Sequence, residues 1–242
     1  VQDSHFENNP VDLPQSLLFG KTPGLHIECE RTESTWPPVN IPINCLGDAI
    51  NRVLKSPTVA SKKFLITIGD RSVTGTVCRD QMVGPWQEPV ADVAVTASDS
   101  VGYTGEAMAM GERPPLALIS PAASSRMAVA ESITNIVAAP IANISNIKLS
   151  ANWMAAAGEN DQAVALFDGV ESIGMDLCPA LGIAIPVGKD SLSMKTQWTD
   201  AQSGEKAVVS PMTCVISAFA PITDVRKVWT PLLDTSVRNS QL

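Results

Sequence analysis

Three groups of residues in this sequence have types and spacings that could do chemistry. Glu131 and Asn135 stand four apart in a run of helical periodicity, so a carboxylate and an amide leave one helix face together. Asp92 sits among small apolar residues in the strand-like run Val90 to Thr96. Such groups are costly on an apolar surface unless they find partners. Magnesium takes oxygen ligands of this kind and completes its octahedron with phosphates and water. The same spacing also describes a solvated helix face with Asp92 paired to a base such as Arg79, and on spacing alone that plainer alternative is favoured.

The second group is Gly69-Asp70-Arg71-Ser72-Val73-Thr74-Gly75, followed by Arg79 to Gln87. Small residues let backbone N–H groups approach an anion, and Arg71 and Arg79 could grip it bidentately. A hairpin and a structural loop fit equally well, because the run is neither a Walker loop nor a dinucleotide fingerprint. The third group, Gly188-Lys189-Asp190-Ser191, echoes the tail of a phosphate loop but lacks its upstream glycine and is followed by a strand pattern. A phosphate- or substrate-binding turn stays open there. Ser191 has no nearby His to activate it, which argues against a nucleophile.

These groups must be positioned by an alternation of strands and helices with long loops, an α+β (α/β-like) mixed sheet with helices packed on it, of sandwich or barrel type. The patterns predict strands at Phe64–Ile68, Val73–Val77, Val90–Thr96, Glu106–Met110, Ile144–Ala151, Ile183–Ile185, Leu192–Trp198 and Val208–Ala220. Helices are expected at Leu46–Lys55, Pro121–Ala138 and Gln162–Leu177. The second has Ser120 as N-cap, Pro121 at the first position, and Met127, Ala130, Ile133, Thr134 and Val137 as its apolar face. Pro179 to Gly182 ends the third. Residues 1–58 are rich in Pro and Asn and read as an extended linker; 59–223 read as the main domain; Asp224 to Lys227 resembles a new helix start.

The chain has 242 residues and a net charge of −8, with a pI of about 4.7, which argues against nucleic-acid binding by phosphate neutralisation. No apolar run is long enough for a bilayer, and Val1 to Pro10 has no signal-peptide core. Cys29, Cys45, Cys78, Cys178 and Cys214 have no paired spacing, so buried thiols of a reducing, cytoplasmic compartment are expected rather than a zinc site.

The strings GDRSVTG (69–75), RDQMVGPWQEPVADVAVT (79–96), GEAMAMGERPPLAL (105–118), AESITNI (130–136), IKLSANWMAAAGE (147–159) and LGIAIPVGKDSLSMKT (181–196) together resemble the large, single-chain phosphoribosylformylglycinamidine synthases of purine biosynthesis. The resemblance runs from about Leu13 to Pro231. It implies an ATP-dependent carbon–nitrogen ligase that converts formylglycinamide ribonucleotide, ATP and glutamine to formylglycinamidine ribonucleotide, ADP, phosphate and glutamate. It also implies one half of an internally duplicated synthetase core, with 1–58 ending the preceding domain and 224–242 starting the following one. The family's auxiliary nucleotide site then falls here, holding ATP or ADP with Mg2+. Asp92, Glu131 and Asn135 would be metal ligands, Ala91 a nucleotide contact, and Lys62 a further one. The resemblance thus reverses the preference for a solvated face. It places a fourth acidic ligand, the catalytic ATP loop and the glutaminase cysteine outside this sequence, so no catalytic residue is expected here. The partners implied are the rest of the synthase chain, including its glutaminase domain. A non-catalytic nucleotide-binding scaffold is the alternative.

Overall fold

The computed structural model describes residues 1–21, 26–31, 37–38, 45–73 and 75–238. In chain order its elements are α1 (Gln15–Phe19), α2 (Leu46–Lys55), α3 (Lys63–Ile68), β1 (Val77–Arg79), β2 (Ala94–Ala97), β3 (Gly105–Glu112), α4 (Pro114–Ala117), α5 (Pro121–Ile136), β4 (Lys148–Met154), α6 (Asn160–Glu171), a π-helical stretch at Ser172–Leu177, α7 (Cys178–Leu181), β5 (Ala184–Ser191), β6 (Lys195–Asp200), β7 (Gly204–Val209) and β8 (Thr213–Ile222). Six strands form one mixed sheet in the order β1-β2-β3-β8-β4-β5, antiparallel throughout except for β4 beside β5. β6 and β7 make a separate hairpin. The α+β class expected from the sequence is therefore the one observed, as a six-stranded mixed sheet with helices on one face and the β6–β7 hairpin beside it.

The packing of α5 on β3 follows from side-chain size. β3 alternates strictly, burying Gly105, Ala107, Ala109 and Gly111 and exposing Glu106, Met108, Met110 and Glu112. A face of only Gly and Ala lets a helix lie unusually close. At Gly111 an added Cβ would stand 2.1 Å from Ala128 O and 2.5 Å from Ser132 N, so only glycine fits. α5 answers with Ser124, Ser125, Ala128, Val129, Ser132 and Ile136, all buried. The buried serines satisfy their hydroxyls on main-chain carbonyls, as in Ser124 Oγ to Arg113 O at 2.6 Å and Ser132 Oγ to Val129 O at 2.8 Å. Leu149, Ile216, Ala218 and Met212 complete the core under the helices.

Several expected elements differ. Ser120 does cap α5, accepting from Ala123 N at 3.3 Å. Its buried face, however, is the small-residue one, while Met127 and Val137 stay exposed, because a near-smooth sheet selects small side chains over large ones. Phe64–Ile68 is not a strand but part of helix α3, which buries no residue. With no neighbouring strand to pair, the chain satisfies its backbone locally. The Val73–Val77 strand shifts to Val77–Arg79, and Thr74 lies outside the described residues, as do Pro23-Gly24, Pro42 and 239–242. At Ile144 a 3-10 turn, with Asn143 Oδ1 accepting from Ser145 N, delays β4 to Lys148.

The long helix changes to π spacing at Ser172–Leu177 before Pro179, which has no N–H to return to the preceding turn. It ends at Gly182 in the left-handed region (φ +66°), as the Pro179–Gly182 signal predicted. β5 runs on through Ser191, and the Val208–Ala220 run breaks at Pro211 into β7 and β8. Asp224 to Lys227 is a turn, not a helix, with Val225 and Val228 buried in the core. Only Cys178 and Cys214 are buried; Cys29, Cys45 and Cys78 are exposed. Among the described residues no helix is long and apolar enough to cross a membrane.

Candidate functional site at the end of β3

The close seating of α5 brings Glu131 and Asn135 to the last residues of β3. Glu131 Oε2 accepts from Glu112 N at 2.8 Å, and Oε1 lies 3.2 Å from Arg113 Nη2. Asn135 Nδ2 donates to Met110 O at 3.0 Å, which leaves its carbonyl Oδ1 as the free end of the amide. Both residues lie on the rim of the buried face and are half-buried. Thus the i,i+4 pair grips one strand end instead of spreading into solvent.

Asp92 arrives from the neighbouring strand. It occupies an exposed bend before β2, not the interior of a strand, because β2 begins only at Ala94. The β2–β3 register pairs Ala94 with Met108. The ladder stops at that pair, so Asp92, two residues before it, is not paired with β3. Ala91 is fixed by its N–H to Gln81 O at 2.7 Å. The alternative pairing of Asp92 with Arg79 is not made: Arg79 Nε is buried and has no partner. Glu131 and Asn135 therefore meet at the end of β3, while Asp92 stands in the exposed bend before β2; the oxygens of all three are hard donors of the kind that suit Mg2+ rather than zinc. Among the described residues no three His, Cys, Asp or Glu side chains form a metal cluster, so phosphates, water or other groups would have to complete the coordination.

The surrounding loop is tied down by Arg71, whose Nη2 donates to Asp80 Oδ2 and Gln87 Oε1, both at 2.7 Å. Arg71 O accepts from Nε2 of Gln81 at 3.4 Å, the same residue whose carbonyl holds Ala91. Lys62 lies just before α3, exposed, with Nζ on Ala60 O at 2.5 Å. Its neighbour Lys63 forms the ion pair to Glu88 that joins this segment to the Ala91 loop. The sequence offered no signal to choose Lys63, and none for Arg113, since ion-pair partners depend on tertiary approach. Gly188-Lys189-Asp190-Ser191 is strand β5 rather than a turn, with Lys189 donating to Ser191 Oγ. On the adjacent β4, Asn152 pairs in register with Lys189 and keeps a buried, unpartnered Oδ1. A groove of about 570 Å³ lies elsewhere, between the α5 N-terminus and α6, with Arg31, Ser120, Asp161 and Asp168 on its walls.

Residues 61–221 match the family model of the FGAR-AT PurM_N-like domain. The chain belongs to that family. PurL of Thermotoga maritima, solved as a complex with ADP, shares the fold at 17% identity and a TM-score of 0.50, over 84% of this chain and 29% of that one. PurLQS from the same organism aligns at 19% identity and a TM-score of 0.49, over 88% of this chain and 28% of that one. The chain thus spans under a third of the length of these solved relatives.

Proposed function

We propose that this chain is the second-copy, nucleotide-holding part of a large phosphoribosylformylglycinamidine synthase, and that it carries an auxiliary Mg2+-nucleotide site. Asp92, Glu131 and Asn135 hold the metal in this reading; Ala91 and Lys62 contact the ATP or ADP. The observation that carries it is the anchoring of Glu131 and Asn135 on the end of β3, with Asn135 Oδ1 making no hydrogen bond among the described residues. Family membership supports the purine-biosynthetic, glutamine-dependent ligase as the parent activity. Residues 59–223 form the nucleotide domain, 1–58 end the preceding one, and 224–242 open the next. The remaining synthase chain with its glutaminase domain is the partner, and the cytoplasm the compartment.

Calorimetric titration of Mg-ADP tests the site. Asp92→Asn keeps the shape and removes one charge from an exposed bend, so the fold should hold while magnesium-dependent nucleotide affinity falls at least tenfold. Unchanged affinity in that variant refutes the assignment. A scaffold that binds nucleotide without contributing to turnover is the second reading. Restoring Asp92→Asn to a full-length synthase separates the two: a scaffold loses stability with kcat retained.

A further inference from the structure

Arg79 ends β1 opposite Val95, three positions after Asp92, and two residues before Gln81 clasps Ala91. Its side chain is half-buried and its Nε–H is wholly buried, yet among the described residues nothing accepts from it and no carboxylate pairs with it. Arg71 is held alongside by Asp80, the neighbour of Arg79, and by Gln87, and it too keeps a buried Nε–H without a partner. A guanidinium N–H stripped of water and left without an acceptor is unfavourable, and most such donors in folded proteins are satisfied. Arg71 already has an acid on its Nη2, but Arg79 has none in a chain of net charge −8, and its buried Nε–H, with that of Arg71, marks a place prepared for an anion.

We infer that Arg79, with Arg71 beside it, forms a phosphoryl-binding subsite that takes the phosphate chain of the nucleotide held at Ala91 and Asp92. This rests on the nucleotide reading above. A phosphate chain suits the donors because a guanidinium offers parallel N–H groups to two oxygens of one phosphoryl group. It also suits the neighbours, since a metal held by Asp92, Glu131 and Asn135 needs a ligand that bears negative charge toward both the metal and the arginines. Arg79 then neutralises the side of the chain that the metal does not reach.

The test uses the arginine Nε–H resonances of the full chain labelled with nitrogen-15, with the Arg79 signal assigned by its loss in Arg79→Lys. Inorganic pyrophosphate without metal, inorganic phosphate and Mg-ADP are titrated in turn. A saturable shift of the Arg79 signal with pyrophosphate and with Mg-ADP is expected. Calorimetry should show Mg-ADP affinity falling about tenfold to a hundredfold in Arg79→Ala, and by less in Arg79→Lys, which keeps the charge but not the fork. Because the resonance is read in the unsubstituted chain, a variant that fails to fold does not block the result. An Arg79 signal indifferent to every phosphate, or Arg79→Ala binding Mg-ADP as tightly as the parent, overturns the inference. A response to pyrophosphate with none to Mg-ADP sinks the nucleotide reading instead and leaves a subsite for a free phosphate compound.

Discussion

Gly111 links the packing of the domain to its candidate site. With a Cβ there, Ala128 O and Ser132 N would be met at 2.1 and 2.5 Å, and both are backbone atoms that cannot turn aside. Gly111→Ala must push α5 off β3, at a cost of about 1–3 kcal/mol by analogy with overpacked cores. The same displacement lifts Glu131 and Asn135 from Glu112 N and Met110 O, so Mg-ADP affinity should fall along with the urea midpoint. A variant that loses stability but keeps its affinity would show that the site does not depend on this contact. At the other end of the sheet, Asp224 accepts from Arg226 Nε at 2.8 Å and Nη2 at 2.9 Å, while Arg226 stacks on Tyr103 at 3.6 Å. Hydrogen bonds from the Arg226 side chain hold the Asp224 carboxyl well below the usual carboxylate range. A depressed folded-state pKa gives stability that is present above the ordinary carboxylate value and is lost as pH falls through the folded one. Acid unfolding should therefore be less steep in Asp224→Asn, whose stability at neutral pH is already lower.

Among the elements, α2 illustrates what a pattern can and cannot say. Leu46–Lys55 was legible as a helix from its periodicity and from Ser56-Pro57, and it forms with Asp48 in its first turn and Lys55 in its last. No residue of it is buried; Leu46, Ile50, Val53 and Leu54 all face outward. A helix of 10 residues without tertiary support is marginal in water. Hydrogen exchange should therefore find weak protection across residues 1–58, except near Glu30, whose N–H and carbonyl pair with the Asn160 side chain at 2.8 and 2.9 Å. Strong protection throughout α2 would mean that it has a partner. Spacing also revealed α5, its cap and the Glu131–Asn135 pair, because those are local. The true buried face of α5 escaped because the sheet beneath it is built of Gly and Ala, so helix size preferences were set from outside the helix. α3 escaped because Phe64–Ile68 is apolar enough for a strand, and only the absence of a pairing edge decides against it. Whether Asp92 comes near Asn135 was not readable from spacing at all, since it depends on how the bend before β2 is carried in the fold.

For the molecule as a whole, the helices cover one face of the six-stranded sheet, and Met108, Met110 and Phe219 lie exposed on the other. That is apolar area of the kind that marks an interaction surface, and on the proposed reading a twin half of the synthase would cover it. In isolation the chain should consequently be only marginally stable. Ligand linkage should restore part of this, because a nucleotide that binds only the folded form adds about 2.7 kcal/mol at a hundredfold excess over its dissociation constant. Melting recorded with magnesium alone, ADP alone and both together should show a rise only with both, and the rise should shrink in Asp92→Asn. Turnover is a separate matter. On the proposed reading the catalytic ATP loop and the glutaminase cysteine belong to other parts of the synthase, and here the thiols of Cys178 and Cys214 are buried, the latter pushed up to about 12 by desolvation. A thiol so disfavoured as thiolate is a poor nucleophile at neutral pH. On the proposed reading, neither glutamine nor ammonia should support turnover by the chain alone. Activity above background, or a melting temperature indifferent to Mg-ADP, would overturn the assignment of this domain as an auxiliary nucleotide-holding half.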